Sequence, residues 1–297
     1  MKLLIVICLL TNFLFSQEID ENKYYATTKT IFIPSEVFKK EREIQIYLPD
    51  EYFKEPNRKF KTLYLFDAQN QRIFNYVKGN VEVLGMNYIE PLIIVGVVTE
   101  DRWFEFLPIN NHAETLKEYE PPIGGADSLI IHIKNEIEPY INQNFRTLES
   151  KIGMGHSLGG TFLMYFNTVD PNFFDASVLL SPNFSYDGEQ LLDRIKNCKA
   201  ADLEKEFYVF SGYGDNYEEK FNKSLKKINK WLKKNPKKNL VWEYENLNIA
   251  DHGKIWFEGV YKGLLKIKPS SLNKSSINFS ISLLTDISYL KLLVFPA

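Results

Sequence analysis

Residues 155–159 read Gly-His-Ser-Leu-Gly, a G-x-S-x-G pattern with Ser157 at its centre. Such a serine can act as a nucleophile on a sharp strand-to-helix turn, because the flanking glycines leave room for backbone that a Cβ would crowd. Gly160 relieves the same crowding one residue later. A serine hydroxyl attacks an acyl carbon only when a base removes its proton. The chain has 4 histidines. His156 adjoins the serine and is expected to point elsewhere on the turn; His112 lies in an irregular segment and His132 inside an amphipathic helix. His252, in IADHGKIWFEGV, follows the last strand and precedes the last helix, which makes it the candidate base.

An acid that orients the base is expected on the loop after the strand KEFYVFSG. That loop, YGDNYEE, offers Asp215, which follows Gly214 in a turn able to aim its carboxylate at an imidazole. Glu218 stands as the alternative acid, although Glu218 and Glu219 also suit the first turn of the next helix, where the dipole favours negative charge. Asp251 is disfavoured, since neighbours in sequence rarely face each other. An oxyanion formed during acyl transfer needs two backbone N–H donors. Leu158 supplies one, and Ala68 or Gln69, after the strand ending at Phe66, supplies the other; the small Ala68 permits the closer approach.

These residues need a scaffold that brings strand ends together. REIQIYLP alternates polar and apolar residues like a half-buried strand, whereas FKTLYLFDAQN and PLIIVGVV are continuous apolar or aromatic runs, the mark of strands covered on both faces. KIGMGHS, DASVLLSP, KEFYVFSG and NLVWEYEN continue the series. Helical patterns lie between them, near 127–144, 158–168, 188–198, 217–234 and 254–266. This alternation implies an α/β fold with a mostly parallel central sheet and helices on both faces. The piece FLPINNHAETLKEYEPPIGGADS is long and irregular, as a lid or binding loop would be. Residues 269–297 have no clear period and stay unassigned at the end of a single domain spanning 17–297.

The 297 residues are 44% hydrophobic and 25% charged, with a formal net charge of -2, an ordinary globular composition that points to no particular partner. The basic run KKINKWLKKNPKKN reads as a solvated helix face, so no nucleic acid is implied. Met1-Lys2, the apolar run LLIVICLLTNFLF and Ser16-Gln17 have the order of a secretory signal, and the run is short for a bilayer span. Residues 1–16 are therefore read as a signal peptide cleaved before Gln17, with a membrane anchor as the other reading. Removal of Cys8 would leave Cys198 alone, with no internal disulfide and no metal-ligand cluster.

With these pieces together, the chain resembles the Putative esterase family of α/β-hydrolases over about Ile31 to Leu265. IYLPDEY, LYLFDAQN, EDRWFEFLP, GGADSLIIHIKNEIEPYINQNFRT, GHSLGG, FDASVLLSPNF and DHGKIWFEGVYKGL carry the likeness. The family includes siderophore, feruloyl and S-formylglutathione esterases and mycolyl transferases, and the exported siderophore-esterase-like branch is the most similar. The resemblance implies an esterase that forms an acyl-enzyme on Ser157 with His252 as base, without metal or organic cofactor. Some enzymes of this branch work with a Ser-His pair and no third member, which leaves Asp215 open. Arg102 matches a family arginine beside the active-site entrance, where it would hold an acidic or phenolic substrate or else form a structural salt bridge. Trp103, Phe104, Phe106, Phe184, Tyr186 and Tyr213 are candidates for an aromatic pocket or for plain packing. The expected partner is a small-molecule ester bound by an exported monomer or weak dimer. Acyl transfer to another alcohol is the near variant, and a non-catalytic binding protein with the same fold is the distant one.

Overall fold

The computed structural model describes residues 23–110, 112–118, 124–198, 205–212, 216–249 and 251–267. The expected signal peptide, Tyr213, Asp215 and the tail 269–297 lie outside the described residues. Eight strands form one sheet: β1 (Thr27–Ser35), β2 (Lys40–Leu48), β3 (Phe60–Leu65), β4 (Leu92–Val97), β5 (Thr147–His156), β6 (Ala176–Leu180), β7 (Lys205–Ser211) and β8 (Leu240–Asn246). Their order is β1-β2-β4-β3-β5-β6-β7-β8. β2 runs antiparallel to β1 and β4, and every pairing from β4 to β8 is parallel.

The helices are α1 (Asp50–Lys54), α2 (Gln71–Gly85), α3 (Arg102–Phe106), α4 (Ala113–Glu118), α5 (Ala126–His132), α6 (Glu138–Asn144), α7 (Leu158–Val169), α8 (Gln190–Asn197), α9 (Asn216–Lys234) and α10 (Ile255–Lys266). A π segment, Ile133–Ile137, joins α5 to α6. Pro139 in the first turn of α6 supplies no N–H to the turn before it, which accounts for a helix that widens there.

Two hydrophobic layers hold the sheet. α2 and α10 cover one face through Phe74, Val77, Val81, Ile255, Val260 and Leu264. On the other face, α5, α7, α8 and α9 contribute Leu129, Phe162, Phe166, Leu192 and Ile228, among others. Helices on both faces of a mostly parallel sheet agree with the architecture that the alternating runs imply.

Three local expectations need correction. The REIQIYLP strand is not half-buried: β2 is flanked by strands on both sides, and Arg42 is only 2% exposed. Its guanidinium tolerates burial because Nη1 and Nη2 donate to the Glu105 carboxylate at 3.2 and 2.6 Å, and Nη2 also reaches the Val98 carbonyl. NLVWEYEN forms the edge strand β8 and is mostly half-buried or exposed, since only one neighbour covers it. The long irregular piece contains the short helix α4, and the stretch before it folds as α3, whose first amides at Trp103 and Phe104 are capped by Asp101 Oδ1.

Candidate active site

Ser157 sits between β5 and α7 with φ 54° and ψ -118°, a conformation that L-residues avoid and that costs about 1–3 kcal/mol. Surrounding bonds impose it. The Ser157 N–H donates to the Leu180 carbonyl of β6 at 2.8 Å, and the Ser157 carbonyl accepts from the Thr161 N–H at 2.9 Å. The Thr161 hydroxyl also reaches that carbonyl, at 3.0 Å. A Cβ on Gly155 would stand 2.5 Å from the Gly159 backbone, so strand and helix approach this closely only with glycine at position 155.

The loop after β3 lies against the same helix start. Phe66 donates its N–H to the Met154 carbonyl of β5 at 2.9 Å. Asp67 then turns the chain at φ 72°. Its Oδ1 accepts from Arg102 Nε at 2.9 Å and from Gln69 Nε2 at 3.3 Å, while the carboxylate presses against Gly159. Burial pushes the Asp67 carboxyl pKa upward, and the charge and hydrogen bond of Arg102 oppose the shift. Ala68 is fully buried behind Asp67. The loop bearing Ala68 thus meets the first turn of α7, where helix geometry leaves the leading amides, Leu158 included, without intrahelical acceptors.

His252 opens a single 3₁₀ turn, His252–Lys254, directly before α10. Asp251 caps that turn: its Oδ1 accepts from the Gly253 and Lys254 amides at 2.9 and 3.2 Å. The imidazole lies between two rings, His156 at 4.5 Å and Phe221 at 5.4 Å between centroids. His156 does not point away from the site, contrary to the sequence expectation. Its Nε2 donates to the His252 carbonyl at 2.9 Å, and its ring is also 5.3 Å from that of Trp256. The chain is therefore brought together at residues 67–69, 156–158 and 252–253.

A cavity of about 870 Å³ opens here, lined by Asp67, Gln69, Arg72, Arg102, His156 and Gly253, among others. Its walls are about equally polar and apolar, Ile73 and Trp256 supplying part of the apolar side. Phe106, Phe184 and Tyr186 are buried in the core instead, which makes them packing residues, and Trp103 is 48% exposed. Arg102 forms the salt bridge that was one of its expected roles, with Asp67, and it also lines the cavity. Asp215 and the Glu218 side chain lie outside what the structure describes. The Asp67–Arg102 pair is the feature that sequence reasoning missed: LYLFDAQN suggested backbone donors but not the use of its acid.

Sheet order, elbow and converging loops define an α/β-hydrolase. The chain belongs to the Putative esterase family, whose model matches residues 35–243, and it is an ester-hydrolysing enzyme. No curated protein matches it in sequence. Among solved structures it is similar to an IroE-like serine hydrolase from Shewanella oneidensis, with TM-score 0.72, 21% identity and coverage of 80% of this chain and 79% of that one. It also resembles the siderophore hydrolase EstA from Aspergillus nidulans, with TM-score 0.67, 14% identity and coverage of 86% and 98%. The enterobactin and salmochelin hydrolase IroE is similar at TM-score 0.57 and 15% identity, with 82% and 95% covered. At these identities the likeness is one of fold. Among the described residues, no helix is long and apolar enough to cross a membrane.

Proposed function

We propose that the protein is an exported serine esterase that hydrolyses a carboxylic ester through an acyl-enzyme on Ser157. His252 takes the serine proton and returns it to the leaving alcohol, then activates water for deacylation. The amides of Leu158 and Ala68 hold the oxyanion, and Asp215, or Glu218 in its place, orients the imidazole. The observation that carries this reading is the strained Ser157 backbone beside a loop that ties His252 to the residue immediately before the serine, His156. The signal-like N-terminus supports export.

Substrate choice follows the cavity. Two lining arginines, Arg72 and Arg102, beside apolar surface from Ile73 and Trp256, favour an ester bearing acidic or phenolic groups over a plain aliphatic one. Siderophore-type esters head the substrates to test, because the solved structures named for that activity share the fold. The deciding experiment compares the chain from Gln17 with Ser157→Ala on p-nitrophenyl acetate, butyrate and octanoate, then on catecholate and hydroxamate esters. Turnover lost in a folded Ser157→Ala protein, together with fluorophosphonate labelling of wild type alone, is the expected result. Equal turnover in both proteins would sink the proposal.

A further inference from the structure

His156 has no task in the mechanism above, yet it is one of the most constrained polar residues near the site. Only 8% of it is exposed. Its ring is flanked by those of His252 and Trp256, and its Nε2 is 2.9 Å from the His252 carbonyl oxygen. A carbonyl can only accept, so Nε2 carries the proton and Nδ1 the lone pair. The bond thus reads out a tautomer as well as a contact.

The groups facing His156 explain its charge state. They are His252 on the 3₁₀ turn, Arg102 on α3 and Trp256 on α10. Burial, then the charges of His252 and Arg102, push its pKa down to about 3, against the pull of the carbonyl bond. A second cation beside His252 would oppose proton uptake from Ser157. His156 avoids that conflict by remaining neutral.

Resting on the assignment of Ser157 and His252 as nucleophile and base, we propose that His156 is a positioning residue for the base. Its Nε2–H pins the His252 main chain while its ring supports the His252 imidazole, fixing the base relative to the elbow one residue away. A small displacement of a catalytic group costs up to about 100-fold in rate, so a single well-placed anchor has kinetic weight.

Two substitutions separate the donor from the ring. His156→Phe keeps an aromatic ring and removes the N–H; His156→Gln keeps an amide donor at similar reach. Expected for His156→Phe is a kcat reduced about 10- to 100-fold with KM changed less than about twofold. His156→Gln recovers most of that loss. Amide exchange at Gly253 and Lys254 speeds up in the Phe variant and stays near wild type in the Gln variant.

An unchanged kcat in His156→Phe, or a Gln variant as impaired as the Phe variant, overturns the proposal. If His156→Phe does not fold, imidazole ¹⁵N shifts of wild type decide: an Nε2–H tautomer that does not titrate between about pH 5 and 8 supports the anchor, and titration in that window overturns it. The exchange and ¹⁵N measurements need no substrate. Should Ser157→Ala retain turnover, the esterase mechanism fails while these arms still judge whether His156 holds the His252 loop.

Discussion

Asp67 Oδ2 lies 2.6 Å from the position that a Cβ on Gly159 would occupy. Asp67 cannot simply swing aside, because Arg102 and Gln69 both hold its other oxygen. A side chain at 159 therefore displaces the loop that carries Ala68 from the first turn of α7. Gly159→Ala is expected to lower kcat about tenfold or more in a folded protein. In an Asp67→Ala background the same change should cost less, and a double-mutant cycle on kcat measures the coupling. Equal costs in both backgrounds would remove Asp67 from the explanation.

Asp67 also trades stability for placement. Its Oδ2 is buried without a hydrogen-bond partner among the described residues, and burial raises its pKa above the usual carboxylate value. With the folded pKa raised, the favourable contribution of this carboxyl is complete below the ordinary carboxylate range and is lost as pH rises through the folded value. Asp67→Asn should accordingly melt a few degrees higher at neutral pH, with the gain fading in acid, while kcat falls as the Arg102 contact weakens. Thermal midpoints at several pH values, read beside kcat, check this. A lower midpoint at neutral pH would contradict it.

Arg42 and Glu105 form a buried ion pair linking β2 to α3. Glu105 Oε1 also accepts from the Glu100 and Asp101 amides at 3.0 and 3.3 Å, so the pair shapes the loop that leads to Arg102. Arg42→Met leaves the carboxylate uncompensated and should cost about 3–5 kcal/mol in urea unfolding. Adding Glu105→Gln should restore part of the loss. A loss under about 1 kcal/mol for Arg42→Met would place the pair in water rather than in the core.

The neutral His156 makes stability depend on acid. Its pKa falls from 6.5 to about 3 on folding, so the unfolded chain binds the proton first as pH drops. Stability is lost between those two values, each unit being worth about 1.4 kcal/mol. Urea midpoints measured across that window should decline less steeply for His156→Gln than for wild type. Parallel slopes would mean that His156 is protonated as easily folded as unfolded.

The parallel core was legible because its strands are mostly apolar runs: Leu92–Val97 is buried at every position as its composition demands, and Phe60–Leu65 is buried throughout although it includes Lys61, which pairs with Glu90. The helices flanking the elbow and the last strand were legible from period. The pattern QRIFNYVKGNVEVLG, which forms α2, is not among the predicted helices, and its buried face consists of only Phe74, Val77, Val81 and Leu84. Ser157 and His252 stood out by motif and by elimination among few histidines. The Arg42–Glu105 and Asp67–Arg102 pairs did not, because each joins residues far apart in sequence and neither spacing nor periodicity records such a meeting.

The loops at 67–69, 156–158 and 252–253 meet only when β3, β5, β6 and β7 lie side by side with α10 docked across them. No short segment contains all three, and the chain between the first and the last must already be folded. Turnover is therefore a property of the complete sheet. During refolding, secondary structure and burial of aromatic side chains should recover before catalysis does, and a fragment lacking either end of the parallel region should be inert. Activity in this protein doubles as a signal that its most distant contacts have closed.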